Sequence, residues 1–173
     1  MGEVCVILSA KPGTPPLDAT WIIHTDGATL GKAPSAIGSA ALTVWVNGMV
    51  YHAETHQKIR TSNNEIEFFA LLRSLMWCDA HYMHDIDIYT DSMLLEQWSQ
   101  GIAKLKNKDI RKLGDDCYAF RQRINFRVHW VPRTEEKQQF TDYISKLGLL
   151  SDVRMATVQQ HKLIIGAYYE NPN

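Results

Sequence analysis

No apolar run in this sequence is long enough to cross a bilayer, and the N-terminus offers no basic segment followed by an apolar stretch and a small-residue cleavage site. A soluble, unexported, cytoplasmic protein is therefore expected. Cysteine is scarce as well. Cys5, Cys78 and Cys117 make an odd count without zinc-type spacing, which argues against a disulfide scaffold or a metal knuckle and for packing thiols in a reducing compartment. Neither sign of charge dominates: the formal net charge is -1, so any affinity for nucleic acid has to come from a local patch. Internal repeats and low-complexity tracts are missing too. What remains is 173 residues of ordinary apolar and charged content, enough for one domain with a real core.

In order, residues 3–9 are apolar enough for an edge strand, and Lys11 to Pro16 breaks any continuation into an irregular arm. Thr20 to Thr25 reads as a strand ending at Asp26-Gly27. An alternating run through Ala41, Thr43 and Trp45 follows, then the tight-hairpin signal Asn47-Gly48 and a return strand from Met49 to His56. Ser62 with Glu65 three residues on is a capping box, so a helix should start near Asn63 and run to Ala80, with Phe68, Leu71, Leu72 and Leu75 at helical spacing. Asp85 to Thr90 is a strand expected to lie parallel to the first, because a helical crossover separates them. Asp91-Ser92 opens a second helix that Gly101 ends, a lysine-bearing segment re-enters a helix near Asn107, Phe126 to Val131 is a fifth strand, and a last helix spans about Glu135 to Leu147.

Two acids, Asp26 and Asp91, thus fall at the carboxyl ends of parallel neighbours, where ligands collect in sheets of this kind. Glu67 reaches the same place from the first helix and Asp142 from the last. Taken singly, each has an ordinary reading: Asp26-Gly27 a turn, Asp91-Ser92 a helix cap, Glu67 a dipole-favoured first-turn acid, Asp142 an exposed acid on an amphipathic helix. His24 reads as a satisfied strand residue and Trp98 as core. Four carboxylates in one crevice repel one another unless divalent cations sit among them, and an oxygen-only ligand set suits magnesium or manganese rather than zinc. Two such ions about 4 Å apart are the usual apparatus of in-line phosphodiester cleavage.

The pieces Thr25-Asp26-Gly27, Asn63-Asn64-Glu65-Ile66-Glu67, Tyr89-Thr90-Asp91-Ser92 and Trp130-Val131-Pro132-Arg133, with Asp142 beyond them, resemble type 1 ribonuclease H over roughly residues 20–148. The resemblance implies an α/β ribonuclease H-like fold, a five-stranded mixed sheet of three antiparallel and two parallel strands with helices on both faces. It makes Asp26, Glu67, Asp91 and Asp142 the catalytic acids, holding two Mg2+ or Mn2+ ions, and the activity endonucleolytic hydrolysis of the RNA strand of RNA/DNA hybrids to 5′-phosphate and 3′-hydroxyl ends. Positions matching Gly27, Asn63 and Asn64 would meet the RNA strand and those matching Arg60 and Ser62 a DNA phosphate. Since a 2′-hydroxyl both donates and accepts, and phosphate contacts read no sequence, cleavage should be largely sequence-independent.

The chain departs from many bacterial members of that family in lacking the extra basic helix, and Gly101 to Asn107 looks like the compact archaeal and plant-type branch. Lys104 and Lys106 there stand either as backbone contacts to the hybrid or as a solvated charge run. Arg133 to Gln139 holds no histidine where many members carry one; Gln138 and Thr141 stand where asparagine and alanine are usual. The expected division is an arm at 1–19, the ribonuclease H domain at 20–148 and a tail at 149–173, whose Leu163-Ile164-Ile165 and Tyr168-Tyr169 are apolar enough to dock. No membrane and no obligate protein partner are expected. Two rivals stand beside this reading: another nuclease of the same superfamily, and an inactive hybrid-binding module. The first would be a proofreading exonuclease, which needs a second acid where Ala28 stands, or an integrase-like enzyme, which ends its acidic set in glutamate.

Overall fold

The structure is a computed structural model, and it describes residues 5–9, 20–33 and 36–149. Its strands are β1 (Cys5–Ser9), β2 (Trp21–Leu30), β3 (Ala36–Val46), β4 (Met49–Thr61), β5 (Asp85–Thr90) and β6 (Asn125–Trp130). Its helices are α1 (Asn63–Ala80), α2 (Met93–Ser99), α3 (Lys108–Ala119) and α4 (Glu136–Leu147), with one short 3-10 turn at Phe120–Gln122. The sheet order is β1-β4-β3-β2-β5-β6. Strands β2, β3 and β4 pair antiparallel, and β5 and β6 run parallel to β2, which is the expected five-stranded arrangement. Beyond it, β1 pairs antiparallel with β4 and supplies a sixth, edge strand, within the apolar stretch 3–9 where an edge strand is expected. The remainder of the expected arm, and the tail after Leu149, lie outside the described residues.

Local signals account for most of these boundaries. Asn47 and Gly48 both take positive φ, 51° and 81°, the pair of left-handed residues that a two-residue hairpin turn requires. Ser62 is extended and its side chain accepts from the Glu65 amide, so α1 begins at Asn63. Asn107 caps α3 in the same way, and Glu135 caps α4 by accepting from the Gln138 amide at 2.7 Å.

Strand β3 is central and covered on both sides, hence buried along nearly its whole length. On one face α1 sets Phe68, Leu71 and Leu75 against Ile23, Ile88 and Phe126; on the other α4 sets Phe140 and Ile144 against Ala41, Trp45 and Ala53. Cys78 and Cys117 are buried free thiols, as packing residues should be. Among the described residues no helix is long and apolar enough to cross a membrane.

One polar cluster interrupts the α1 side. Strand alternation puts His52, Glu54 and His56 on one face of β4. The two histidine Nε2 atoms meet the Glu54 carboxylate at 3.0 and 2.8 Å. Burial would raise the Glu54 pKa, but the two histidine hydrogen bonds outweigh it and bring it down to about 2.

Candidate active site

Strand β2 carries Asp26 at the point where β5, its parallel neighbour, is about to end. The pairs Ile23↔Ile88 and His24↔Tyr89 fix that register, so Asp91, just past Thr90, comes level with Asp26. Helix α1 crosses behind β2 and delivers Glu67 from the start of its second turn, because the Ser62 cap starts the helix at Asn63, four residues earlier. One carboxylate oxygen from each of Asp26, Glu67 and Asp91 lies within 4.8 Å of the other two. Asp26 is 1% exposed and Glu67 8%.

Crowding and burial act together on these acids. Burial, then the neighbouring charges of Asp91 and Asp142, raise the Asp26 pKa to about 6, against a hydrogen bond from Ser145 and the charge of Arg133. Burial and the charges of Asp26 and Asp91 push Glu67 well above the ordinary carboxylate range, against a hydrogen bond from the Gly27 backbone. Asp26 Oδ1 and Glu67 Oε2 are buried with no hydrogen-bond partner among the described residues. Orphaned oxygens on mutually repelling carboxylates are what a hard divalent cation relieves, so these residues fit magnesium or manganese.

Asp142 lines the same groove, of about 480 Å³, but stands apart from the trio. Its Oδ2 accepts from Lys146 Nζ at 2.5 Å, one helical turn on. Arg133 spans the site from the loop after β6, its Nε 2.6 Å from Asp91 Oδ2. Gly27, Asn63 and Asn64 line the groove as well. Thr29 Oγ1 donates to Asn63 Oδ1 across the groove wall. Arg60, at a positive φ of 54°, and Ser62, occupied as the α1 cap, fall outside that lining. Lys104 and Lys106 are exposed in the loop between α2 and α3 and do not line it either.

The residues that spacing alone did not bring to the site are those on the inner face of α4. Gln138 is fully buried; its Oε1 accepts from His24 Nδ1 at 3.0 Å and its Nε2 donates to the Thr25 carbonyl at 3.2 Å, which ties α4 to β2 directly before Asp26. Burial lowers the His24 pKa, against the Gln138 hydrogen bond and the charge of Glu135, and the ring's bond to Gln138 is in keeping with a satisfied strand histidine. Ser145 donates to Asp26 Oδ2. Lys146 could be read as an i, i+4 partner of Asp142. Ser145 has no sequence signal.

The fold is similar to ribonuclease H1 from Halobacterium salinarum, with a TM-score of 0.67 and 19% identity over 75% of this chain and 96% of that one. It is similar to the N-terminal ribonuclease H domain of a Mycobacterium tuberculosis protein, at 0.65 and 22% over 73% and 95%. A third likeness is to LC11 ribonuclease H1 solved with an RNA/DNA hybrid, at 0.63 and 22% over 73% and 94%. No curated protein sequence gives a significant match. The profile of the reverse transcriptase-like family matches residues 24–146, a stretch that contains all four acids. The chain belongs to the reverse transcriptase-like family and has the type 1 ribonuclease H fold.

Proposed function

We propose that the protein is an endoribonuclease that hydrolyses the RNA strand of RNA/DNA hybrids. The observation that carries this reading is the gathering of Asp26, Glu67 and Asp91, from β2, α1 and the end of β5, within 4.8 Å at the carboxyl ends of parallel strands. The relative solved with a hybrid bound supports the choice of substrate.

In this reading Asp26, Glu67 and Asp91, with Asp142 moving in from the groove wall, hold two Mg2+ or Mn2+ ions. When bound, such ions supply an activated water and neutralise charge on the leaving oxygen. Hydrolysis breaks the P–O3′ bond; the water oxygen stays on phosphorus to give a 5′-phosphate, and the departing 3′-oxygen takes a proton. The chain's own groups orient the duplex. Asn63 and Asn64 present amides to 2′-hydroxyls, which accept and donate in turn, and Gly27, on the groove lining, meets the RNA strand through its backbone. Arg60 and Ser62 hold a phosphate of the DNA strand at the edge of the groove. Arg133 pairs with Asp91 at 2.6 Å, the place from which a guanidinium meets a phosphate once the carboxylate is otherwise engaged.

The test is incubation of the protein with labelled RNA/DNA hybrid, RNA duplex and DNA duplex in magnesium, manganese or EDTA. Internal cuts in the hybrid's RNA strand only, abolished by EDTA, are expected. Binding without metal-dependent cutting would instead identify a scaffold, and degradation strictly from free ends an exonuclease. The loop lysines are checked separately. Lys104→Ala with Lys106→Ala should weaken hybrid binding and reduce its salt slope by about one per lysine, while an unchanged slope returns both to solvent.

A further inference from the structure

Ser145 is fully buried on α4, 119 positions along the chain from the carboxylate it touches. Its Oγ lies 2.5 Å from Asp26 Oδ2 and 2.8 Å from the backbone oxygen of Asp142. A serine hydroxyl has one proton to give. The Asp142 carbonyl keeps a second lone pair beside its helical bond, so it and the carboxylate compete for that proton. A bond from a neutral donor to an ionised acceptor is the stronger of the two choices.

We propose that Ser145 is a positioning residue for Asp26: its hydroxyl commits Oδ2 and so fixes Oδ1 as the oxygen offered to a cation. Three observations converge on this. Oδ1 is the atom left buried without a partner among the described residues, so the two oxygens of one carboxylate have been made unequal. Rotation of the Asp26 carboxylate about its last torsion would break the Ser145 bond, so the hydroxyl acts as a stop on the one freedom that a strand aspartate retains. The third is connectivity: Ser145 sits one turn after Asp142, so the same contact sets the distance between the strand bearing Asp26 and the helix bearing the fourth acid. The inference rests on the reading of Asp26 as a metal ligand.

A buried hydroxyl can be merely structural, and α4 supplies the control. Thr141 is equally buried; its Oγ1 meets Thr43 Oγ1 at 2.6 Å and the Lys137 carbonyl at 2.8 Å, and it touches no acid. It ties α4 to the sheet as Ser145 does, without reaching the site.

The experiment measures Mn2+ binding to the full chain by loss of the free-ion electron paramagnetic resonance signal, and Mg2+ by competition. The proteins are the wild type, Ser145→Ala, Ser145→Thr and Thr141→Ala. Ser145→Ala should bind both ions about tenfold more weakly. Its kcat on hybrid should fall at low metal and recover as metal is raised, with KM for the hybrid unchanged. Ser145→Thr, which keeps the hydroxyl, should stay within about threefold of wild type. Thr141→Ala should melt earlier yet bind metal normally. Metal affinity in Ser145→Ala within twofold of wild type would overturn the proposal, and so would an equal loss in Thr141→Ala. The two readings fail separately. Weakened metal binding with no hybrid cleavage in any variant leaves the positioning role standing and removes the hydrolase. Cleavage with metal affinity untouched does the reverse.

Discussion

Asp26→Asn is expected to lower hybrid cleavage about a thousandfold, the scale on which loss of one group that stabilises transition-state charge acts, while raising the melting temperature of the metal-free protein. The second effect follows from the sign of the shift. Asp26 has a folded pKa of about 6 against an ordinary value of 3.8. Folding therefore favours its neutral form. The protein is least burdened below pH 3.8, loses stability as pH rises from there through about 6, and carries the whole cost above that. At pH 8 the cost is roughly 3 kcal/mol, taking about 1.4 kcal/mol for each pH unit. For a chain of this size that corresponds to a rise on the order of 5 °C or more when the charge is removed. Asparagine suits the comparison because its carbonyl can still accept from Ser145.

The wild type without metal should thus melt lower at pH 8 than at pH 5, and the variant should lose that dependence on Asp26. Magnesium should raise the wild-type melting temperature by preferential binding to the folded state and leave the variant nearly unmoved. Calorimetric melts in EDTA and in magnesium, at both pH values, check all of this. A variant that melts below wild type in EDTA at pH 8 would mean that Asp26 is comfortably charged in the fold, and the strained acidic trio would be lost as an explanation.

How much of that trio was legible beforehand depends on the range of the signal. Glu67 is legible because a capping signal is local: Ser62 and Glu65 fix where α1 starts, and 3.6 residues per turn carries the acid to the sheet side. Asp26 and Asp91 are legible because each ends a recognisable strand, and a helical crossover makes those strands parallel. The four-acid pattern adds their order along the chain, within the stretch 24–146 that the family profile matches. Contacts between α4 and β2 were not legible. Gln138 with His24 and Ser145 with Asp26 join positions 114 and 119 apart, and nothing in spacing or periodicity distinguishes these polar residues from solvent-facing ones on an amphipathic helix. The pairing of β1 with β4 was out of reach for a similar reason, since a five-residue apolar strand carries no register of its own.

Gly27→Ala is the substitution in which fold and chemistry should fail together. A Cβ built on Gly27 would stand 2.7 Å from Ile66 Cγ2, 2.9 Å from the Glu67 amide nitrogen and 3.0 Å from the Ile66 carbonyl carbon. Two of those three atoms are backbone of α1, so no rotamer change relieves the clash and the helix must back away from β2. Overpacking of this kind costs about 1 to 3 kcal/mol, or roughly 3 to 10 °C of melting temperature. The same retreat carries Glu67 away from Asp26 and stretches the bond its carboxylate accepts from the Gly27 amide. A misplacement approaching 1 Å at a reacting centre is worth about a hundredfold in turnover. Gly48→Ala is the control: a Cβ there meets nothing within 4 Å, and only the positive φ of 81° penalises it, so it should cost about 1 kcal/mol and leave turnover alone. Steady-state kinetics then separate two roles for Gly27. If its place is to let α1 dock, alanine lowers kcat with little change in KM for the hybrid; if the absent side chain mainly admits the RNA strand, KM rises and the melting temperature holds. The backbone contacts at 2.9 and 3.0 Å favour the first outcome, and wild-type melting with a raised KM would reverse that assignment.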